Sequence, residues 1–389
     1  MIPNFNYSID QIFYPTLLIF SITIVTSFLI TRWPVFSILA GTFKASLYYL
    51  YCGVFFKSIH IFNDARIYLE GGIDLFHFGI FRADFSDTIL YAGAIAGGNH
   101  FGYFLYNTLA FHIFNIGHYA PIAFNILLTL LIGWLGALLA KREFGFSLKQ
   151  GKILFAILIF HPDILTWSTI ANLKDIIALL INILLLFSVS LFFKEYYFKA
   201  IVLALSVSFI SLFIRFYIPA LFTIALILST IPLRLIKIKP IPIIIISFLA
   251  LLLYSRLGGQ YEFVMQQLGK DFVNPFYGFI RFLLTPIPFN VDPDLLILNF
   301  PAIFHWLFAP FIYFGIKKTM KIKTPFMRFF LFYFFIFILL YAIYGELQGP
   351  RHRLQIIYAW TLLDFIGVFS VFHLTKLKVY SWEKRLILK

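Results

Sequence analysis

The chain has 389 residues, 61% of them hydrophobic and only 12% charged, and its mean hydropathy is +0.91. Soluble domains carry about 25% charged residues, so this composition excludes an ordinary soluble protein. The formal net charge of +14 fits a positive-inside membrane topology with anionic lipid or phosphate ligands better than nucleic-acid binding. One cysteine, Cys52, excludes an internal disulfide and a cysteine metal site.

Apolar runs of about 20 residues recur along the chain, which predicts an all-α, polytopic transmembrane helical bundle. The N-terminal MIPNFNYSID has neither a basic region nor a small-residue cleavage site, so no cleaved signal is expected. Span one is expected over about 11–30 and span two over 34–56. A first long outer loop with juxtamembrane helices follows at 57–119, and span three at 121–140. Two spans flank HPDILTWSTIANLKD, two flank Arg215, and another covers 241–254. A second outer loop is expected at 255–300, where FVMQQLGKDFVNPFYGFIRFLL reads as an amphipathic surface helix. The last three spans lie near 301–316, 329–344 and 355–373. This makes about eleven spans in a single integral membrane domain, 1–389.

Orientation follows from the basic clusters. Arg32, the runs at 141–152, 194–199, 234–239 and 317–328, and the tail from Lys376 carry about twenty of the 31 Lys and Arg, yet only Glu143, Glu195 and Glu383 of the 17 acids. Placing them in the cytoplasm puts the N-terminus outside and the C-terminus inside. The remaining charges then gather in several non-adjacent segments at the outer face, which predicts a polar site there.

Four segments carry the candidate residues. In IFNDARIYLEGG, Asp64 is either the N-cap of a helix beginning at Ala65 or a general base at the mouth of a span. In HPDILTWSTIANLKD, Pro162 breaks an apolar run. Asp175 opens the next one, and Lys174 either satisfies Asp175 in a short loop or meets an anionic ligand. In YGELQGPRHRLQ, Arg351, His352 and Arg353 stand between two spans, and paired guanidinium groups suit a phosphate or diphosphate. Arg215 sits at the outer turn of a hairpin, either as a ligand contact or as the partner of an acid. Lys174 is expected to converge with Asp64 and Arg353 on one cavity. Lys44 and Asp364 lie inside spans, and whether they pair is open. No P-loop, G-x-S-x-G or H-E-x-x-H motif is present, and the nine histidines are scattered, so no dedicated zinc site or other cofactor is indicated. A divalent cation on outer carboxylates stays open.

Taken in order, NDARIYLEGG, GYFLYNTLAFHIFNIG, HPDILTWSTIANLKDIIALL, FIRFLLTPIPF and GPRHRLQ resemble the motifs of the GT-C superfamily of polytopic membrane glycosyltransferases. The closer likeness is to polyprenyl-phosphate-sugar-dependent members of bacterial surface-polysaccharide clusters. The resemblance implies a bacterial inner-membrane enzyme with an extracytoplasmic active site. Its partners would be a polyprenyl-phosphate-linked sugar donor, a glycan or lipid acceptor and membrane lipids, without nucleic acid. It implies Asp64 as base or metal-contacting carboxylate, with Lys174, Arg351 and Arg353 on the lipid phosphate. Asp64 stands without a second acid beside it, a departure from the family pattern. An O-antigen or capsule repeat-unit polymerase would lean instead on Arg215, Arg281, Arg351 and Arg353. A flippase or transporter for lipid-linked sugar would need charges along a path through the bundle.

Overall fold

The computed structural model describes residues 7–56, 62–79, 101–230, 274–285, 293–343 and 350–372, with a few single positions between them. Among the described residues every regular element is helical. In chain order they are α1 (Ile9–Thr31), α2 (Pro34–Leu50), α3 (Asn63–Phe78), α4 (Phe101–Phe114), α5 (Tyr119–Glu143), α6 (Leu148–Ile159), α7 (Pro162–Thr169), α8 (Asp175–Phe192), α9 (Tyr197–Leu212), α10 (Tyr217–Thr230), α11 (Pro275–Leu284), α12 (Asn299–Met320), α13 (Pro325–Ile343), α14 (Pro350–Arg353) and α15 (Ile357–Val371).

Among the described residues seven helical stretches are long and apolar enough to cross a membrane: α1, α2 with its π-turn Tyr51–Phe55, α5, α8, α12, α13 and the stretch Arg351–Val371. The chain is thus an integral membrane protein by the length and composition of its helices. An eighth crossing is the bent pair α6–α7, which turns by 41° at its break. Two of the eleven expected spans, those beside Arg215, are the shorter helices α9 and α10, of 16 and 14 residues. At 1.5 Å per residue each reaches only about 21–24 Å of a roughly 30 Å hydrocarbon core. The span expected at 241–254 lies outside the described residues.

Pro162 was expected to break an apolar run, and α6 ends before it, at Ile159. Pro162 itself occupies the first turn of α7, where its missing N–H costs nothing. The chain therefore bends and stays helical, and every residue from His161 to Leu179 is buried.

Apolar side chains gain little from helix contact inside a bilayer, so close packing and hydrogen bonds hold these helices together. The tightest crossing joins α12 to α15. A Cβ at Gly315 would lie 1.9 Å from the Leu363 carbonyl oxygen, and one at Gly367 would lie 2.0 Å from that of Phe311. Gly71 and Gly72 bring α3 against Phe104 and Asn107 of α4 in the same way, and Thr108 Oγ1 donates to the Gly72 carbonyl over 3.0 Å. At the far end of α5, Glu143 meets Lys194 at 3.3 Å and accepts from Ser190 Oγ at 2.5 Å, tying α5 to the end of α8. That end carries the basic residues Lys141, Arg142 and Lys194. The starts of α3, α8 and α14 gather at the opposite end.

The two intramembrane charges do not meet. Lys44 of α2 donates to Thr129 Oγ1 of α5 over 2.8 Å, whereas Asp364 of α15 lines a cleft beside His161 and Phe304.

Candidate functional site

Asp64 lies in the first turn of α3, which begins at Asn63, so it is not the helix cap. A carboxylate in a first turn is favoured by the helix dipole, and this one projects toward α14. Asp175 likewise lies in the first turn of α8, as its first residue, with Lys174 just before it. Arg215 comes from the turn between α9 and α10, and Arg351 from α14.

These groups form one network. Asp175 Oδ1 accepts from Arg215 Nη2 at 2.5 Å and from Gln355 Nε2 at 3.3 Å, and its Oδ2 accepts from Arg351 Nε at 2.7 Å. The same Arg351 reaches Asp64 Oδ2 through Nη2 at 2.8 Å. One guanidinium therefore bridges two carboxylates from segments more than a hundred residues apart. Asp175 is buried, Arg351 is 19% exposed and Asp64 is 47% exposed, so the network runs from the interior to a mouth. Behind it, Tyr217 donates to Gln355 Oε1 at 2.9 Å, Asn182 Nδ2 donates to the Gln355 carbonyl at 2.9 Å, and Tyr333 donates to Asn182 Oδ1. These bonds fix the Gln355 amide, which in turn orients Asp175.

Lys174 is buried and lies 5.3 Å from the centre of the Tyr68 ring of α3. Tyr68 packs edge-on against Tyr103, whose hydroxyl donates to Asn172 Oδ1 at 2.8 Å, and Asn172 Nδ2 donates to Asn107 Oδ1 at 2.6 Å. This ladder seats the 170–174 turn that delivers Lys174. Burial, with Arg215 and Arg351 nearby, pushes the Lys174 ammonium well below the ordinary lysine range despite Asp175 and Asp64. Burial acts to raise the Asp64 carboxyl, but Arg351, with Lys174 and Arg215 further off, holds it below the usual carboxylate value. Asp64 is therefore ionised at neutral pH. Three basic side chains and two carboxylates share this end of the bundle, an arrangement suited to an oxyanion at the mouth.

Arg353 does not join them. A helix advances about 100° per residue, so two positions apart lie about 200° around it and face opposite ways. Arg353 is wholly buried, with Nη1 donating to the Thr285 carbonyl at 2.6 Å and Nη2 3.6 Å from Asp163 Oδ2. Its guanidinium carbon lies 5.9 Å from the Trp360 ring centre. The expected meeting of Lys174, Asp64 and Arg353 is thus a meeting of Lys174, Asp64 and Arg351. His352 turns toward Tyr341, with ring centres 6.2 Å apart, and Arg281 is exposed on α11. Of the amphipathic stretch expected within the second outer loop, the described part is the helix α11, with Phe282 buried and Tyr277 exposed; its earlier part lies outside the described residues.

Asp175 and Gln355 are the parts of the network that residue-type reasoning passed over. Gln355 is four residues beyond Arg351, the spacing that puts two helical side chains on one face. Among the described residues no group of three or more His, Cys, Asp and Glu side chains is placed to hold a metal ion. Asp64 and Asp175 share a guanidinium instead. No family model matches the chain, and no curated protein or solved structure is significantly similar to it.

Proposed function

We propose that the protein is a membrane glycosyltransferase that takes a sugar from a polyprenyl-phosphate-linked donor, at the end of the bundle opposite the basic clusters. One observation carries this reading: Arg351 joins Asp64 at the mouth to buried Asp175, with Lys174 and Arg215 beside them. In this reading the donor phosphate lies against Lys174 and Arg351. The acceptor hydroxyl oxygen attacks the anomeric carbon as the bond from that carbon to the phosphate oxygen breaks. The electron pair leaves on the phosphate, where the cations stabilise it, and the hydroxyl proton passes to the Asp64 carboxylate. Asp175 is a positioning residue that holds both guanidinium groups. The extracytoplasmic side and the bacterial inner membrane belong to the same proposal, supported by the basic residues at the other end. So do the eleven spans and the GT-C-like bundle.

The polymerase alternative draws on Arg215, Arg281, Arg351 and Arg353 together, and only Arg215 and Arg351 share the network. The test is release of polyprenyl phosphate by the purified full chain given a polyprenyl-phosphate sugar and acceptor. Asp64→Asn is expected to slow it about 10²–10⁴-fold and to change stability by less than about 1 kcal/mol, as for other partly exposed pairs. Turnover at the wild-type rate in both Asp64→Asn and Arg351→Lys would remove the reading.

A further inference from the structure

The basic end of the bundle carries a groove that the site above does not use. It has a volume of about 670 Å³ and runs between α1, α5 and α6. Its long wall is α5 from Leu127 to Lys141, about 21 Å at 1.5 Å per residue. Ile22 and Leu29 of α1 face it, with Trp134 part-way along. The lining is mostly aliphatic and aromatic, and it includes Lys141 and Lys152 from either side of the turn that joins α5 to α6. The local structure explains why. Lys141 lies in the last turn of α5. A capping box then starts α6 directly: Gln150 N–H donates to Ser147 Oγ at 3.2 Å, and Ser147 N–H donates to Gln150 Oε1 at 2.8 Å. Lys152 follows at the start of the second turn of α6, with its Nζ 5.8 Å from the Trp33 ring centre.

We infer that this groove holds an anionic phospholipid, with its phosphate between Lys141 and Lys152 and an acyl chain along α1 and α5. Two observations agree. The groove is long enough for the acyl layer of one leaflet, half of a roughly 30 Å core. None of its lining residues is acidic, and basic pockets between membrane helices select anionic headgroups. The inference does not rest on the proposed function.

Gly151 provides a test without changing charge. It lines the groove, and a Cβ there would meet only the Ala137 carbonyl oxygen, at 3.9 Å. Leu at this position fills the groove and suits a helix better than Gly. The full chain, purified in mild detergent, is exposed to equimolar phosphatidylglycerol and phosphatidylcholine, and bound lipid is counted by native mass spectrometry. Wild type is expected to retain phosphatidylglycerol selectively. Lys141→Gln with Lys152→Gln is expected to lower that retention about 30-fold, the strength of two membrane-surface lysine contacts. Gly151→Leu is expected to lower it to a similar degree. Lys317→Gln with Lys318→Gln removes the same charge from the last turn of α12 and is expected to leave it unchanged. Equal loss in both lysine pairs would show diffuse charge rather than a site. Undiminished binding in Gly151→Leu would show that the lipid lies elsewhere. Either result overturns the inference.

Discussion

Arg351 and Arg353 are two residues apart, yet they sit in different kinds of environment. Arg351 is saturated by two carboxylates and reaches a mouth where Asp64 is half-exposed. Arg353 is sealed in. Among the described residues its Nε has no hydrogen-bond partner, and its carboxylate neighbour Asp163 is itself fully buried with Oδ1 unpartnered. The first cluster is graded from protein to solvent, and the second is closed. The difference teaches that burial alone does not set what a cation can do. Access to the groups around it decides what it can bind.

The comparison breaks most visibly where a buried charge loses its partner. Asp175→Asn leaves Arg215 and Arg351 without their shared carboxylate. It is expected to cost about 3–5 kcal/mol in detergent unfolding, and Arg353→Ala, which strands Asp163, is expected to cost a similar amount. The two clusters separate in the next experiment. Replacing both partners of the closed pair, Asp163→Leu with Arg353→Met, is expected to leave stability within about 2 kcal/mol of wild type, or to raise it, with release of polyprenyl phosphate intact. Loss of release in that double variant would place Arg353 in the chemistry after all.

A smaller effect distinguishes Lys174. Its folded pKa lies below the ordinary value of 10.5, so between the two the unfolded chain holds a proton that the folded chain lacks. Stability therefore rises with pH across that interval. Binding of polyprenyl phosphate runs the other way and weakens as pH rises through the lowered pKa, by about tenfold per unit. Lys174→Arg keeps its charge and should flatten the binding profile, as titration of lipid-phosphate affinity against pH would measure. Smallest of all is the Arg66–Glu70 pair of α3. It has the same 2.8 Å separation as Arg351–Asp64 but is exposed on both sides. Glu70→Ala is expected to change stability by no more than about 0.5 kcal/mol, by the same unfolding measurement.

Much of the bundle is legible in hydropathy, because long apolar runs have few other uses. The spans at α1, α2, α5, α8, α12, α13 and α15 fall where the runs are. The charges at the mouth are legible for the same reason: Asp64, Lys174, Arg215 and Arg351 interrupt or border apolar runs. What hydropathy does not encode is rotation about a helix. That is why Arg353 was expected beside Lys174 together with Arg351, and why Asp175, which does start α8, was not also read as the hub of two guanidinium groups. Pro162 does break its apolar run, and it also opens α7, since a proline costs nothing in the first turn of a helix.

The bridge made by Arg351 has a consequence for how a ligand enters. One edge of the guanidinium is held by buried Asp175, and the other faces the mouth only through Asp64. An anion that takes the outer edge takes it from Asp64, so arrival is an exchange of partners rather than an addition. The displaced carboxylate is then beside the newcomer and without the cation that held its proton affinity down. Net affinity is the difference between two similar contacts, which favours departure as readily as arrival.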